Sequence, residues 1–130
     1  MARVLFLCHQ NAGRSPMSEA LFQRAVDGRH ESRSAGTRPA DQVHPAVVEA
    51  MREVGIDLSR KRPQPLTDDL ARWADVVVTM GCGDECPYIA GKTYIDWELI
   101  DPAGQPLAQV RMIRDDIRAR VEGLARDLAD

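Results

Sequence analysis

The chain has 130 residues, a formal net charge of −3 and a pI near 5.6. Hydrophobic residues make up 44% and charged residues 28%, a balance typical of a globular domain rather than a disordered or fibrous protein. The slightly acidic balance argues against a nucleic-acid partner, and no apolar run approaches the ~20 residues that cross a bilayer. We therefore predict one domain over 1–130 with no nucleic-acid and no membrane partner.

The cysteine count and the first residues bear on the compartment. The opening stretch MARVLFLCHQ has too short an apolar core for a signal peptide. Three cysteines cannot all pair within one chain, which favours a reducing environment. These observations predict a cytoplasmic protein.

Predicted strands alternate with predicted helices along the chain. In order, they are a strand at Arg3–Leu7, a helix at Ser15–Val26, a strand at Glu31–Gly36, a helix at Pro45–Val54, a short helix at Leu66–Trp73, a strand at Asp75–Met80, a strand at Thr93–Trp97 and a helix at Leu107–Leu128. This alternation predicts an α/β fold of three layers, with a parallel sheet between helices. Ligands of such sheets bind beyond the carboxyl ends of the strands. Because Cys8, Cys82 and the segment after Trp97 each follow a predicted strand, we expect them to converge on one edge.

The loop between the first strand and the first helix has the parts needed to bind a tetrahedral oxyanion. A loop that curls into a helix start points several backbone N–H groups inward, and the helix dipole adds positive potential. The planar guanidinium of Arg14 suits two oxygens of an anion, and the same environment favours a nucleophilic Cys8 thiolate. The predicted oxyanion-binding loop comprises His9, Gln10, Asn11, Ala12, Gly13, Arg14 and Ser15 after Cys8.

Two members of this loop have supporting roles in the prediction. We expect Ser15 to donate a hydrogen bond to the thiolate and Asn11 to brace the loop through its amide. The alternative interpretation of Cys8 is a small buried hydrophobe at a strand end, which is common for a free cysteine.

The pattern Cys-x5-Arg-Ser, placed between the first strand and the first helix, resembles the low-molecular-weight protein tyrosine phosphatase superfamily. That superfamily includes phosphatases and the arsenate reductases built on the same scaffold. Matching stretches are SAGT (Ser34–Thr37), HPAVVEAMREVGIDLS (His44–Ser59), ADVVVTM (Ala74–Met80) and DPAG (Asp101–Gly104). The resemblance implies a four-stranded parallel sheet flanked by helices, with Cys8 as nucleophile, Arg14 as anion ligand and Asp101 as general acid. Without it, Asp101 would be read as a turn residue before Pro102.

The stretch TMGCGDECPYIAGK bears on the choice between a phosphatase and a reductase. A phosphatase needs one thiolate and water, whereas a reductase must pass two electrons' worth of oxidation to further thiols. Cys82 and Cys86, separated by Gly83-Asp84-Glu85, resemble the redox segment of the three-cysteine, thioredoxin-coupled arsenate reductases. The resemblance implies that Cys8 attacks arsenate, that Cys82 and then Cys86 take over the oxidation as a disulfide, and that thioredoxin reduces it. Such exchange requires the segment from Gly81 to Gly91 to move, and its glycines favour mobility.

Other interpretations stay open from the sequence. Two alternative interpretations of Cys82 and Cys86 are ligands of a zinc site and inert buried thiols. Mycothiol and glutathione are the alternatives to thioredoxin as the source of reducing equivalents, and no bound cofactor is expected. The alternative functions are a phosphatase that hydrolyses a Cys8 thiophosphate intermediate and an anion-binding protein without turnover.

Some relatives in the superfamily bind potassium beside the oxyanion-binding loop. Asn11, Glu19 and Ser34 match that site, but Arg62 and Gln64 stand where those relatives use Thr and Asp. Because a cationic Arg62 would oppose a metal ion, we predict no metal.

Overall fold

The computed structural model describes residues 1–82 and 86–128. The elements in chain order are β1 (Arg3–Cys8), α1 (Arg14–Val26), β2 (Glu31–Gly36), α2 (Pro45–Arg52), α3 (Asp68–Trp73), β3 (Val76–Thr79), β4 (Thr93–Asp96) and α4 (Leu107–Asp127). The four strands form one parallel sheet in the order β2-β1-β3-β4. The predicted α/β fold with a four-stranded parallel sheet flanked by helices is confirmed.

The predicted element bounds lie within two residues of those observed. The largest differences are two residues each: α2 ends at Arg52 and not at Val54, and α3 begins at Asp68 and not at Leu66. The Thr67 hydroxyl accepts a hydrogen bond from the Leu70 amide and so caps the helix, which fixes its start. Leu66 lies outside the helix because its amide bonds to the Gly36 carbonyl oxygen at 3.0 Å, beside the end of β2.

The core has two parts, one on each face of the sheet. On one face, α1, α2 and α4 cover alternate residues of β1 such as Val4 and Phe6, and Cys8 belongs to this cluster. On the other face, Leu5 and Leu7 pack with Leu70 of α3, and Cys82 belongs to that smaller cluster. Since side chains alternate along a strand, β1 supplies both clusters and is buried on both faces.

The strand register aligns the carboxyl ends of the sheet. Cys8 pairs with Gly36, Leu7 pairs with Thr79, and Thr79 pairs with Asp96. The segments that leave β1, β3 and β4 therefore start at one edge. Among the residues described, no helix is both long and apolar enough for a transmembrane span.

Candidate oxyanion and thiol site

The oxyanion-binding loop is held from outside by the segment 37–44. The carbonyl oxygens of Cys8, His9, Gln10 and Ala12 accept hydrogen bonds from four backbone amides. The donors are Thr37 at 3.2 Å, Arg38 at 2.7 Å, Ala40 at 2.9 Å and His44 at 2.9 Å. Because the C=O and N–H of one peptide unit point in opposite directions, these bonds turn the following N–H groups toward the inside of the loop. This is the backbone arrangement that binds an anion.

The start of α1 adds to this arrangement. Gly13 precedes the first helical residue, Arg14, and carries no side chain that could cap the helix. The free N–H groups of a helix start and its dipole favour a negative charge there. A side chain at Gly13 would also collide with Pro102, since a Cβ there would lie 2.5 Å from Pro102 Cγ. The Asp-Pro turn thus packs directly on the loop.

Cys8 is buried and reduced, and its thiol is the start of a hydrogen-bonded chain. Cys8 Sγ lies 2.8 Å from Ser15 Oγ, and Asn11 Nδ2 donates to the same Ser15 oxygen at 2.8 Å. Asn11 Oδ1 accepts a hydrogen bond from the backbone amide of Gln64 at 2.9 Å. Asn11 adopts a φ of 51°, a left-handed conformation that asparagine tolerates better than most residues. The structure thus places Ser15 against the Cys8 sulfur and Asn11 against Ser15, while the supporting roles of both residues stay predictions.

The far end of this chain is a partly buried ion pair. Gln64 Nε2 donates to the Ser34 carbonyl oxygen at 2.8 Å, and the Ser34 hydroxyl donates to Glu19 Oε1 at 2.7 Å. Lys61 Nζ lies 2.7 Å from the same Glu19 oxygen. The cation beside Glu19 is therefore Lys61, whereas Arg62, which the sequence placed there, is exposed.

Arg14 is the point at which three segments meet. Its side chain is 7% exposed, and Nη2 lies 3.6 Å from Asp101 Oδ2. Arg14 Nη1 donates to the Leu99 carbonyl oxygen at 3.5 Å. From the β3 side, Gly81 approaches so closely that a Cβ there would lie 2.1 Å from Arg14 Nη1. The sequence suggested only mobility for Gly81, but the structure shows that its lack of a side chain makes room for Arg14.

Asp101 lies at the mouth of the loop, after β4. Its side chain is 54% exposed, and Oδ1 accepts a hydrogen bond from the Ala103 amide at 3.0 Å, so the turn role expected from Asp-Pro is also present. The other carboxylate oxygen faces Arg14. The site thus places a carboxyl group on the same guanidinium that flanks the Cys8 loop.

Cys82 and Cys86 are paired as a disulfide with a Cα–Cα distance of 5.4 Å, inside the usual range for a disulfide. Cys82 is buried, with its sulfur 3.9 Å from the Leu7 carbonyl oxygen, and Cys86 is half-buried. Gly83, which the sequence analysis counted among the mobile glycines, and its neighbours Asp84 and Glu85 lie outside the described residues. The structure brings this disulfide to the same sheet edge as Cys8, but into the cluster on the opposite face.

The fold and the site define an α/β protein with a buried thiol at the base of an oxyanion-binding loop. The family model for low molecular weight phosphotyrosine protein phosphatase matches residues 3–130. The chain belongs to this family, as its sequence motifs indicated.

Individual relatives are similar over almost the whole chain. A Halobacterium salinarum protein named provisionally as an arsenate reductase is 45% identical over 124 residues, which cover 92% of this chain and 87% of that protein. A Synechocystis protein named glutaredoxin arsenate reductase is 35% identical over 127 residues, covering 95% and 96% of the two chains.

A solved structure of a thioredoxin-dependent arsenate reductase from Corynebacterium glutamicum is similar in fold and sequence. It superposes with a TM-score of 0.82 at 42% identity and covers 98% of this chain. This chain spans 60% of the length of that one.

Sequence reasoning missed several residues of the site. The amides of 37–44 are backbone groups, so no side-chain type marks them. Lys61 stood inside the charge run Arg60-Lys61-Arg62, whose members only the tertiary contacts tell apart. For Gly81, the available signal was its position directly after the predicted strand Asp75–Met80.

Proposed function

We propose that the protein reduces arsenate to arsenite through a three-cysteine relay whose disulfide is reduced by thioredoxin. The observation that carries the proposal is the Cys82–Cys86 disulfide, located at the sheet edge that also holds the oxyanion-binding loop with its reduced Cys8. Hydrolysis by a phosphatase needs only the nucleophilic cysteine and water, whereas a reductase needs further thiols, and Cys82 and Cys86 supply two within the chain. The names of the Halobacterium, Synechocystis and Corynebacterium relatives support the same substrate.

In the first step, the Cys8 thiolate attacks arsenic and forms a sulfur–arsenic bond. The loop amides and Arg14 bind the anion oxygens, and Asp101 donates the proton with which one oxygen leaves as water. Ser15 Oγ lies 2.8 Å from Cys8 Sγ, where its hydroxyl can donate a hydrogen bond to the attacking sulfur. Asp101 faces Arg14 from solvent, so this carboxyl group can exchange its proton with water.

In the second step, the Cys82 thiolate attacks Cys8 Sγ. The sulfur–arsenic bond breaks, its electron pair stays on arsenic, and As(V) leaves as As(III) while a Cys8–Cys82 disulfide forms. The Cys86 thiolate then attacks Cys82 Sγ, releases Cys8 as a thiolate and forms the Cys82–Cys86 disulfide. Thioredoxin supplies two electrons and two protons to that disulfide and restores the starting state. The Cys82–Cys86 pairing with a free Cys8 is the state expected at the end of this sequence.

Because Cys8 and Cys82 lie in clusters on opposite faces of the sheet, the relay requires Cys82 to leave its place beside the Leu7 carbonyl oxygen. The segment that follows β3 must therefore change its contacts during turnover. The proposed site of action is the cytoplasm, where thioredoxin-type reductants keep thiols reduced.

The test pairs two assays on the same enzyme preparations: arsenate-dependent NADPH oxidation with thioredoxin and its reductase, and hydrolysis of p-nitrophenyl phosphate. Cys8→Ser is expected to abolish both activities, since both begin with attack by this sulfur. Cys82→Ser and Cys86→Ser are each expected to lower the reductase activity by about 10³-fold or more, because each removes a thiol that forms a covalent bond in the relay, while any phosphatase activity persists. Full reductase turnover in either variant would contradict the relay.

Mass spectrometry of single-turnover samples adds a second readout. With arsenate and no reductant, Cys86→Ser should accumulate the Cys8–Cys82 disulfide, whereas Cys82→Ser should form none. Replacing thioredoxin by glutaredoxin with glutathione, or by a mycothiol system, identifies the donor. Turnover with one of these and none with thioredoxin would keep the chemistry and replace the proposed donor.

The second candidate function is phosphate monoester hydrolysis. The observation that favours it is that a thiol, a guanidinium and a carboxyl group, those of Cys8, Arg14 and Asp101, lie at one site. Hydrolysis of a phosphate monoester needs these three groups and not the disulfide. Hydrolysis of p-nitrophenyl phosphate that is fast in all but Cys8→Ser, with no arsenate-dependent NADPH oxidation, would make this the function.

A further inference from the structure

The segment 87–92, which follows Cys86, contacts the sheet through the side chain of Tyr94 in β4. The Tyr94 hydroxyl accepts a hydrogen bond from the Ile89 amide and donates one to the Pro87 carbonyl oxygen at 3.1 Å. Its ring stacks on the ring of Tyr88, with centroids 5.0 Å apart and an interplanar angle of 22°. Three consecutive residues directly after Cys86 thus contact the same tyrosine.

Tyr94 itself is firmly placed. It pairs in parallel with Val77 of the central strand β3, and its side chain packs together with Cys86 against the cluster that contains Cys82. At the end of the segment, Lys92 Nζ donates to the Arg72 carbonyl oxygen at 2.9 Å and ties it to α3. The residues that follow the disulfide are therefore bonded to the side chain of Tyr94, and Tyr94 is fixed by its place in β4.

We propose that Tyr94 is a positioning residue that holds the oxidised conformation of this segment and thereby sets the reduction potential of the Cys82–Cys86 disulfide. The role in turnover rests on the proposed function. When a dithiol donor reduces the disulfide, the sulfur–sulfur bond breaks, two thiols form, and the donor becomes a disulfide. Cys82 must then reach Cys8 on the opposite face of the sheet, so the segment gives up its contacts with Tyr94. Contacts made in the oxidised state and lost in the reduced state stabilise the oxidised state.

The measurement is the redox equilibrium of Cys82–Cys86 in the full chain, with Cys8→Ser as background so that no other thiol exchanges. Protein is equilibrated in buffers of reduced and oxidised dithiothreitol, free thiols are alkylated, and the two states are counted by mass spectrometry. Tyr94→Phe removes the hydroxyl and keeps the ring. Tyr88→Phe is the matched control, because it removes a hydroxyl from the neighbouring ring, which is 78% exposed, and leaves the stack and both hydrogen bonds.

We expect Tyr94→Phe to raise the equilibrium constant for reduction threefold to tenfold, which is about 15 to 30 mV. Tyr88→Phe should stay within twofold of the parent. Tyr88→Ala weakens the hold on the segment without altering β4, and it should shift the equilibrium in the same direction as Tyr94→Phe. Equilibrium constants within twofold of the parent for both Tyr94→Phe and Tyr88→Ala would overturn the proposal.

Kinetics separate positioning from a general effect on folding. In the chain with Cys8 intact, Tyr94→Phe should speed the reduction of the disulfide by dithiothreitol and leave p-nitrophenyl phosphate hydrolysis unchanged. Neither redox measurement uses arsenate, so they succeed or fail independently of the proposed arsenate reduction. If Tyr94→Phe lowers both the rate of hydrolysis and the unfolding temperature but leaves the redox equilibrium unchanged, Tyr94 is merely structural.

Discussion

The oxyanion-binding loop and the region around the Cys82–Cys86 disulfide lie at the same edge of the sheet, but different kinds of contact hold them in place. Around Cys8, side chains with zero or near-zero exposure form a continuous chain of hydrogen bonds, and backbone amides of 37–44 fix the carbonyl oxygens. The segment after Cys86 is half-buried or exposed, and much of its attachment comes from one tyrosine and one lysine.

This difference corresponds to the chemistry of each region. A loop that stabilises a tetrahedral anion works best when its donors are already in place, because reorganisation during reaction costs rate. A cysteine such as Cys82, which pairs first with Cys8 and then with Cys86 in the proposed relay, must change position. The contacts that hold its segment must therefore break at moderate cost in free energy. The two regions contact each other at Arg14 and Gly81. Substitutions there should show whether the oxyanion-binding loop depends on the region around the disulfide.

The largest expected effect comes from Gly81→Ala, with Gly91→Ala as its control. Both glycines have a positive φ, 88° and 85°, so alanine should cost each variant about 1–2 kcal/mol of stability. Only at Gly81 does the new Cβ meet Arg14, whereas Gly91 has open space around it. We expect Gly81→Ala to lower kcat/KM for p-nitrophenyl phosphate about 100-fold through displacement of Arg14, and Gly91→Ala to leave it unchanged. Similar kcat/KM values in the two variants would show that the regions are independent.

Removing the ammonium group of Lys61, at the end of the hydrogen-bonded chain that starts at Cys8, should have the next largest effect. Lys61→Met leaves the Glu19 carboxylate, whose side chain is 11% exposed, without its ammonium partner. We expect a loss of about 2 kcal/mol in the free energy of unfolding and weaker binding of phosphate to the loop. Arg62→Met changes the adjacent, exposed cation and should stay within about 0.5 kcal/mol of the wild type. Urea unfolding and phosphate titration measure both; a larger loss in Arg62→Met would contradict the role of Lys61.

The smallest effect is expected outside both regions, at the contact between α2 and α4. Hydrogen bonds from Arg111 and Arg114 lower the pKa of Glu53 from 4.5 to about 2. Because the folded-state pKa is lowered, this carboxylate stabilises the fold above pH 4.5, and the contribution is lost as the pH falls toward 2. Glu53→Gln should therefore lower the unfolding midpoint by a few degrees at pH 7, with the difference from wild type vanishing near pH 2.

Thermal unfolding over this pH range checks the Glu53 prediction, with Glu49→Gln as the control in an exposed pair with Arg52. The exposed pair should contribute little at any pH. Unchanged kcat/KM in Glu53→Gln would show that the site does not depend on this contact. A difference from wild type that persists at pH 2 would mean that the ionised carboxylate is not its cause.

Sequence patterns predicted most of the fold, because strands buried on both faces and amphipathic helices leave strong local signals. The runs in β1 and β3 and the apolar stripe of α4 are examples, and each was located within two residues. The start of α3 was placed two residues early, because the pairing of Leu66 with Gly36 is a contact between distant parts of the chain. For the site, the spacing of Cys8 and Arg14 indicated an oxyanion loop, and family resemblance pointed to Asp101, Cys82 and Cys86.

By itself, the sequence determined which chemistry the chain can offer: a thiol and a guanidinium around a loop that opens a helix, and two further cysteines after a strand. These signals are local, since they depend on residue type and spacing along the chain. Only the tertiary structure decided that Lys61, and not Arg62, meets Glu19, that Gly81 makes room for Arg14, and that Tyr94 holds the segment after Cys86. Those relations join residues brought together by the sheet and its packing, and a side chain's partner across such a contact follows from the fold rather than from its neighbours in sequence.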